Sequence, residues 1–143
     1  MMVKQISVFL ENKEGRIAEV ARILSEKGIN IRALSIADTT EFGILRLIVD
    51  KPEITEETLR KRNFTVSINL VIAISVEDKP GGLADALEAL HEHRISVEYL
   101  YAFISKSDKK ANVILRVENV EEAVKTLLEK GFPLMNASEV YGL

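Results

Sequence analysis

The residues with the clearest chemical potential lie in two similar turns, each placed between an alternating apolar stretch and a helical pattern. The turns are Glu-Asn-Lys-Glu-Gly-Arg at residues 11–16 and Glu-Asp-Lys-Pro-Gly-Gly at residues 77–82. Glycine lets backbone N–H groups approach a ligand, and a helix start adds unpaired donors and a positive dipole end. Such turns favour a carboxylate or a phosphate. Glycines that only form the turn, with Asn12 and Asp78 as caps, explain the same residues.

Other chemistry finds little support. The chain has no cysteine, which excludes disulfides, thiolate metal sites and cysteine nucleophiles. Its two histidines, His91 and His93, are two residues apart and do not face each other as helical i, i+4 ligands would. There is no nucleophile elbow, phosphate-binding loop or dinucleotide-binding glycine pattern. We therefore expect no catalysis, no metal and no cofactor.

Composition limits the partners. The 143 residues carry a net charge of −3, and 47% of them are hydrophobic. A mildly acidic chain is a poor general nucleic-acid binder, because that affinity depends on clustered positive charge. No apolar run approaches the roughly 20 residues that span a bilayer. We expect a soluble, cytoplasmic protein that binds neither nucleic acid nor membrane.

The chain repeats itself. A shift of 66 residues places residues 6–34 over 72–100 with nine identities, among them Gly15/Gly81 and Leu24/Leu90. Further on the shift widens to 68, with the two extra residues near 106–110, where a loop tolerates insertion. The chain is therefore predicted to contain two units, residues 1–69 and 70–143.

Each unit has the pattern β-α-β-β-α-β. Alternating residues predict strands near 6–10 and 72–76. Residues spaced i, i+3, i+4, i+7 predict first helices, with buried faces formed by Ile17, Val20, Ala21 and Leu24 and by Leu83, Ala86, Leu87 and Leu90. Second helices are predicted at 52–61, burying Ile54 and Leu59, and after the N-cap Asn119. Final strands are predicted at 64–68 and 134–138.

This order predicts an α+β fold of two ferredoxin-like units, each an antiparallel sheet with helices on one face. No long linker separates the units, so we expect them side by side as an extended sheet. RNA recognition modules share the element order, but their glycine, phenylalanine and basic strand pattern is absent here.

Three aromatic residues alternate along one predicted strand: Tyr99, Tyr101 and Phe103. In a regular strand they share the face away from the helices, while Leu100 and Ile104 face the helices. An exposed aromatic stripe there would be an interface for a homodimer or a partner metabolic enzyme. A bulge that turns one or two rings into the core is the alternative.

The second turn, Asp-Lys-Pro-Gly-Gly-Leu-Ala at 78–84, with Ile-Ser-Val at 95–97 after the helix, resembles an ACT domain. The first unit repeats it as Asn-Lys-Glu-Gly-Arg-Ile-Ala at 12–18 and Gly-Ile-Asn-Ile at 28–31. The resemblance implies a regulatory module of amino-acid metabolism that binds a small molecule, most often an amino acid. It places the ligand between the first turn of one domain and a strand start of its neighbour. The ligand residues implied are Asn12, Gly15, Arg16, Ile17, Asn30, Ile31, Asp78, Pro80, Gly81, Gly82, Leu83, Ser96 and Val97.

Both units depart from the ACT pattern. Glu14 stands where proline is usual, and Arg94 and Ser96 stand where glycine and asparagine are usual. The two sites need not be equivalent. The alternative function is a structural or regulatory partner subunit of a biosynthetic enzyme, whose turns no longer bind a ligand.

Overall fold

The computed structural model describes residues 2–11, 14–38, 41–104 and 109–143. Part of the loop assigned above to the two-residue insertion lies outside them. Contacts divide the chain into an N-terminal unit, Lys4–Asn69 with Tyr141–Leu143, and a C-terminal unit, Leu70–Val140 with the start of the first strand. The elements are β1 (Met2–Glu11), α1 (Arg16–Glu26), β2 (Ile31–Asp38), β3 (Phe42–Val49), α2 (Pro52–Lys61), β4 (Thr65–Glu77), α3 (Gly82–Glu92), β5 (Val97–Ala102), β6 (Lys110–Val117), α4 (Val120–Glu129), β7 (Leu134–Met135) and α5 (Ala137–Tyr141).

In the N-terminal unit the strands are ordered β2-β3-β1-β4, and β3 is antiparallel to both β1 and β2. Alternation on β1 turns every second side chain towards the helices. Those side chains pack with their partners on β3 and with both helices to form the core: Ile6, Val8, Leu10, Val20, Ile23, Leu24, Leu45, Leu47, Val49, Leu59, Phe64 and Val66.

The C-terminal unit has the equivalent order β7-β4-β6-β5, also antiparallel. Its core repeats the first by position: Ile72, Ile74, Val76, Ala86, Leu90, Ile95, Val113, Leu115, Val117, Ala123 and Leu127. Two units with helices on one face of an antiparallel sheet confirm the predicted α+β, ferredoxin-like fold.

The predicted helix faces need correction. Ile17 is 45% exposed and Ile54 is 48% exposed, although both were expected in the core. The buried face of α1 is formed by Val20, Ile23 and Leu24. Because successive residues are 100° apart around the helix, a face centred on these three leaves Ile17 and Ala21 at its edge. On α2 the buried i, i+4 pair is Thr55 and Leu59. Thr55 is tolerated there because its hydroxyl donates to the Lys51 carbonyl at 2.8 Å.

The predicted final strands were also wrong in extent. The strand expected at 64–68 is the first part of β4, which continues without interruption to Glu77. The strand expected at 134–138 stops at Met135, because Asn136 caps a short helix instead. The Asn136 side-chain oxygen accepts the backbone N–H of Glu139 at 2.9 Å, the geometry of an N-cap.

Among the described residues, no helix is long and apolar enough to cross a membrane.

Candidate functional site

The first turn ends in Gly15, which has φ 83° and precedes α1 without any side-chain cap. Its carbonyl accepts the Glu19 N–H at 2.9 Å, so the helix begins directly after it. The N–H groups of a first helical turn have no partner within the helix. The start of α1 therefore has backbone donors that no side chain caps. Asn12 lies outside the described residues.

A small pocket of about 150 Å³ opens beside this turn. Arg16 lies against it, with its guanidinium 4.8 Å from the centre of the Phe64 ring. Arg16 Nη1 donates to Glu19 Oε2 at 3.0 Å, while its Nε is buried and donates to no acceptor in the described part of the chain. A buried donor without an acceptor costs free energy, so this position favours a ligand oxygen or a water.

Aromatic rings form much of the pocket wall, and the sequence analysis missed them. Phe9 and Phe42 lie 6.3 Å apart between ring centres, and each is 41% exposed. They meet because β1 pairs with β3 in a register that sets Glu11 opposite Phe42. No spacing in the sequence gives that register. The pocket is lined by Phe9, Leu10, Glu11, Arg16, Phe42, Asn63, Phe64 and Thr65.

The second turn is built more tightly. Gly81 has φ 89° and is the uncapped N-cap of α3, as Gly15 is for α1. The backbone N–H groups of Lys79 and Gly82 donate within the turn, to Glu77 at 2.9 Å and to Lys79 at 3.1 Å. Asp78 and Pro80 are exposed at its rim. The N–H groups of Lys79 and Gly82 are therefore already used and are not free for a ligand.

Glu77 closes the base of this turn through an ion pair across the strands. Its carboxylate accepts from Lys110 Nζ at 2.5 Å. This hydrogen bond, together with the charge of Lys110, holds the pKa of Glu77 below its usual value of 4.5. The Glu77 carboxylate is therefore already paired with Lys110.

The strand-start residues of the predicted site lie at the other end of the first helices. Asn30 donates its N–H to Asp50 Oδ1 at 2.9 Å, at the start of β2. An 11-residue helix separates it from Gly15, which corresponds to roughly 16 Å. Ser96 and Val97 stand in the same relation to Gly81. Within one unit the structure does not bring turn and strand start together, so a ligand touching both, as the ACT resemblance implies, stays a prediction.

Tyr99 and Tyr101 of β5 and the following Phe103 do not form the exposed stripe that motivated an interface. The pairing of β5 with β6 shifts register between Val97 and Tyr99. Tyr101 is 8% exposed, while Tyr99 and Phe103 are half-buried. The two tyrosine rings stack 6.4 Å apart. An interface at these residues stays a prediction.

The described residues contain no group of three or more His, Cys, Asp or Glu side chains that could hold a metal ion. The candidate site therefore consists of the Arg16 pocket with its glycine turn, and the more closed second turn.

Comparison with known proteins gives a consistent result. The chain is 40% identical to protein BT0572 from Bacteroides thetaiotaomicron, whose crystal structure matches with a TM-score of 0.94 over 100% of this chain and 98% of that one. The ligand-free regulatory subunit of aspartate kinase from Thermus thermophilus matches with 18% identity and a TM-score of 0.61, over 90% of this chain and 92% of that one. The Thermus flavus regulatory subunit gives 17% identity and 0.59, over 88% and 90%. At those identities the two kinase subunits show a shared fold.

No curated protein sequence matches the chain. The family model described as an ACT domain pair matches residues 1–142. This match confirms the resemblance drawn from the two glycine turns, and the chain belongs to the ACT domain pair family.

Proposed function

We propose that this protein is a regulatory or sensor protein of amino-acid metabolism that binds a small amino acid in the Arg16 pocket. The observation that carries the proposal is Arg16 Nε, a buried donor beside an uncapped helix start and without an acceptor among the described residues. A ligand carboxylate fits that position, because Arg donates to carboxylates in a planar, charge-assisted geometry.

The other walls of the pocket suit the rest of an amino acid. Glu11 adds a carboxylate-bearing residue to the pocket lining. Phe9 and Phe42 supply an apolar surface for its side chain. A cavity of about 150 Å³ favours a small amino acid over a large aromatic one.

The regulatory part of the proposal rests on the family and on the fold shared with the aspartate kinase regulatory subunits. We treat residues 1–69 and 70–143 as the two ACT units. Ligand bound at a turn changes the arrangement of units, chains or a partner enzyme, and such coupling is typically about 1–3 kcal/mol. No catalytic step is assigned to the chain.

The second turn favours the alternative role, that of a partner subunit whose turn binds no ligand. The backbone N–H groups of Lys79 and Gly82 already donate within the turn. Fewer backbone donors therefore remain for a ligand beside Gly81 and Leu83. The ligand residues predicted there, Asp78 to Leu83 with Ser96 and Val97, are retained in the proposal as a second, weaker site.

Thermal unfolding in the presence of each standard amino acid at millimolar concentration tests the proposal, since a ligand of the native state raises its stability. Arg16→Gln removes the guanidinium that lines the pocket and should abolish the response. Arg22→Gln is the matched control, because Arg22 is an exposed arginine on the same helix outside the pocket lining. If no amino acid stabilises the wild-type protein, the amino-acid site is wrong.

Arg16→Gln also separates the two roles. In a ligand-binding regulator it removes the amino-acid response and leaves complex formation intact. A partner subunit without a ligand shows complex formation in light scattering or pull-down and no amino-acid response in any variant.

A further inference from the structure

The C-terminal unit contains a second concave surface, an open groove of about 650 Å³ between the end of α3 and the start of β5. Aliphatic side chains of Leu87, Val97 and Leu100 line it, together with the Tyr99 ring. His91 and Arg94 add an imidazole and a guanidinium at the helix end. The groove thus joins an apolar wall to cationic and hydrogen-bonding groups.

The N-terminal unit has the equivalent groove without that chemistry. It measures about 350 Å³ and is lined by Ala21, Ser25 and residues 28–31. In the repeat alignment Ala21, Ser25 and Gly28 take the places of Leu87, His91 and Arg94. The guanidinium and the imidazole of the larger groove are therefore additions to a shared scaffold.

Arg94 is an unfavourable residue for the backbone it occupies. Each of the helices α1 to α4 is followed by a C-cap residue and then by a residue with positive φ. These residues are Gly28 at 67°, Asn63 at 67°, Arg94 at 56° and Gly131 at 82°. Glycine adopts this left-handed conformation freely, whereas a side chain makes it costly. A residue kept in a strained conformation points to a role for its side chain.

No side-chain contact within the described part of the chain holds Arg94 in place. Neither Arg94 nor His91 has a side-chain hydrogen bond or ion pair to another described residue. Cations also balance the carbonyl end of a helix, and Lys27 and Lys130 are the C-cap residues of α1 and α4. The C-cap residue of α3 is His93, and Arg94 follows it at the strained position.

We propose that this groove binds a small organic anion, a carboxylate or phosphate carried on an apolar body. Arg94 and His91 donate to the anionic oxygens, and Leu87, Val97 and Leu100 pack against the body. The site requires nothing from the Arg16 pocket. It includes Ser96 and Val97, two of the residues implied by the ACT resemblance, but its charge comes from residues outside that set.

Amide NMR titration tests the site with three probes: 4-methylpentanoate, its neutral analogue 4-methylpentanamide, and inorganic phosphate. The carboxylate should move the resonances of residues 87–100, and the amide should bind at least roughly tenfold more weakly because it lacks the charge. A comparable response to phosphate supports the anion site and assigns a phosphate head group. Equal binding of carboxylate and amide overturns the proposal.

Arg94→Gly provides the decisive variant, since glycine is native at the equivalent position Gly28. It should fold at least as stably as the wild type and bind 4-methylpentanoate roughly tenfold more weakly or worse. The matched control is Lys109→Gly, which also removes one positive charge and one strained residue, φ 60°, but lies outside the groove. Unchanged binding by Arg94→Gly overturns the proposal, as does the absence of any shift with about 20 mM probe, a concentration that saturates a millimolar site.

The same variants distinguish this site from the amino-acid pocket. Arg16→Gln should abolish the amino-acid response and leave 4-methylpentanoate binding unchanged, and Arg94→Gly should do the reverse. Loss of both responses in either variant shows one shared site and overturns the inference of a separate groove.

Discussion

Gly82 is the residue at which the second turn is most sensitive to a side chain. It begins α3, and a methyl group added to it would overlap the backbone carbonyl oxygen of Glu77. The equivalent residue of the first turn is Arg16, so the two turns differ at their closest backbone approach. Gly82→Ala therefore measures how tightly the second turn is packed.

The size of the effect follows from two opposing contributions. Forcing a methyl group into packed backbone costs about 1–3 kcal/mol. Alanine recovers up to about 1 kcal/mol, because glycine is a poor helix residue and loses more entropy on folding. We expect a net loss of about 1–2 kcal/mol in the free energy of unfolding, and a fall in Tm of roughly 3–8 °C for a domain of this size.

Urea unfolding followed by circular dichroism gives the free energy, and two other glycines are controls. Gly81→Ala meets no atom within 4 Å but has φ 89°, so it should lose about 1 kcal/mol through backbone strain alone. Gly43→Ala places its methyl group in ordinary contact, 3.5 Å from Ile36 Cδ1, and should change stability by no more than about 1 kcal/mol.

A stability of Gly82→Ala within about 0.5 kcal/mol of the wild type would refute the reasoning, since typical overpacking costs exceed that value. Such a result would mean that the Glu77 carbonyl moves aside easily, and that the second turn accepts a side chain at this position as the first turn accepts Arg16. In that case the hydrogen bonds of Lys79 and Gly82 would not close the turn, and the second amino-acid site would regain equal standing with the first.

Three further predictions follow from named contacts. Asn119→Ala removes the cap that accepts the Glu122 N–H at 3.1 Å and should lower the free energy of unfolding in urea by about 1 kcal/mol. Lys51→Ala should lower it by less, because the Lys51 side chain does not cap α2. Leu24→Ala and Leu90→Ala, at equivalent buried positions, should each cost about 2–5 kcal/mol, and values below about 1 kcal/mol would contradict the assigned cores. Hydrogen bonds from Lys4, Lys61 and Lys110 hold the pKa values of Glu53, Glu57 and Glu77 below 4.5, so their stabilisation is complete above pH 4.5 and is lost as the pH falls through the lowered values. Replacing the three by Gln should flatten the stability profile in that acid range, and an unchanged profile would exclude these pairs as its cause.

The repeat allowed most of the fold to be predicted, because equivalent residues perform equivalent structural tasks. Gly15 and Gly81 both precede a helix with positive φ, and Leu24 and Leu90 are both fully buried. The repeat could not predict the end of the chain. Asn136 gives a local hydrogen bond that starts a helix, and this contact outweighs the β-strand pattern of its neighbours.

The candidate site was only half predictable for a similar reason. Glycine turns are local signals, so the backbone around Gly15 could be identified from spacing alone. Phe9, Phe42 and Phe64 meet Arg16 only because three separated segments pair in a particular register. Register depends on long-range packing, which a single sequence does not provide.

The places where the two repeats differ show how the units have specialised. Arg16 in the first unit aligns with Gly82 in the second, and Gly28 in the first aligns with Arg94 in the second. In each of these two pairs an arginine aligns with a glycine of the other unit: Arg16 starts α1, and Arg94 follows the end of α3. The other unit has glycine at the equivalent position in each case, so the shared scaffold does not demand an arginine there. On the two proposals above, each guanidinium would bind an anionic ligand, and the two sites would lie at opposite ends of the equivalent helices α1 and α3.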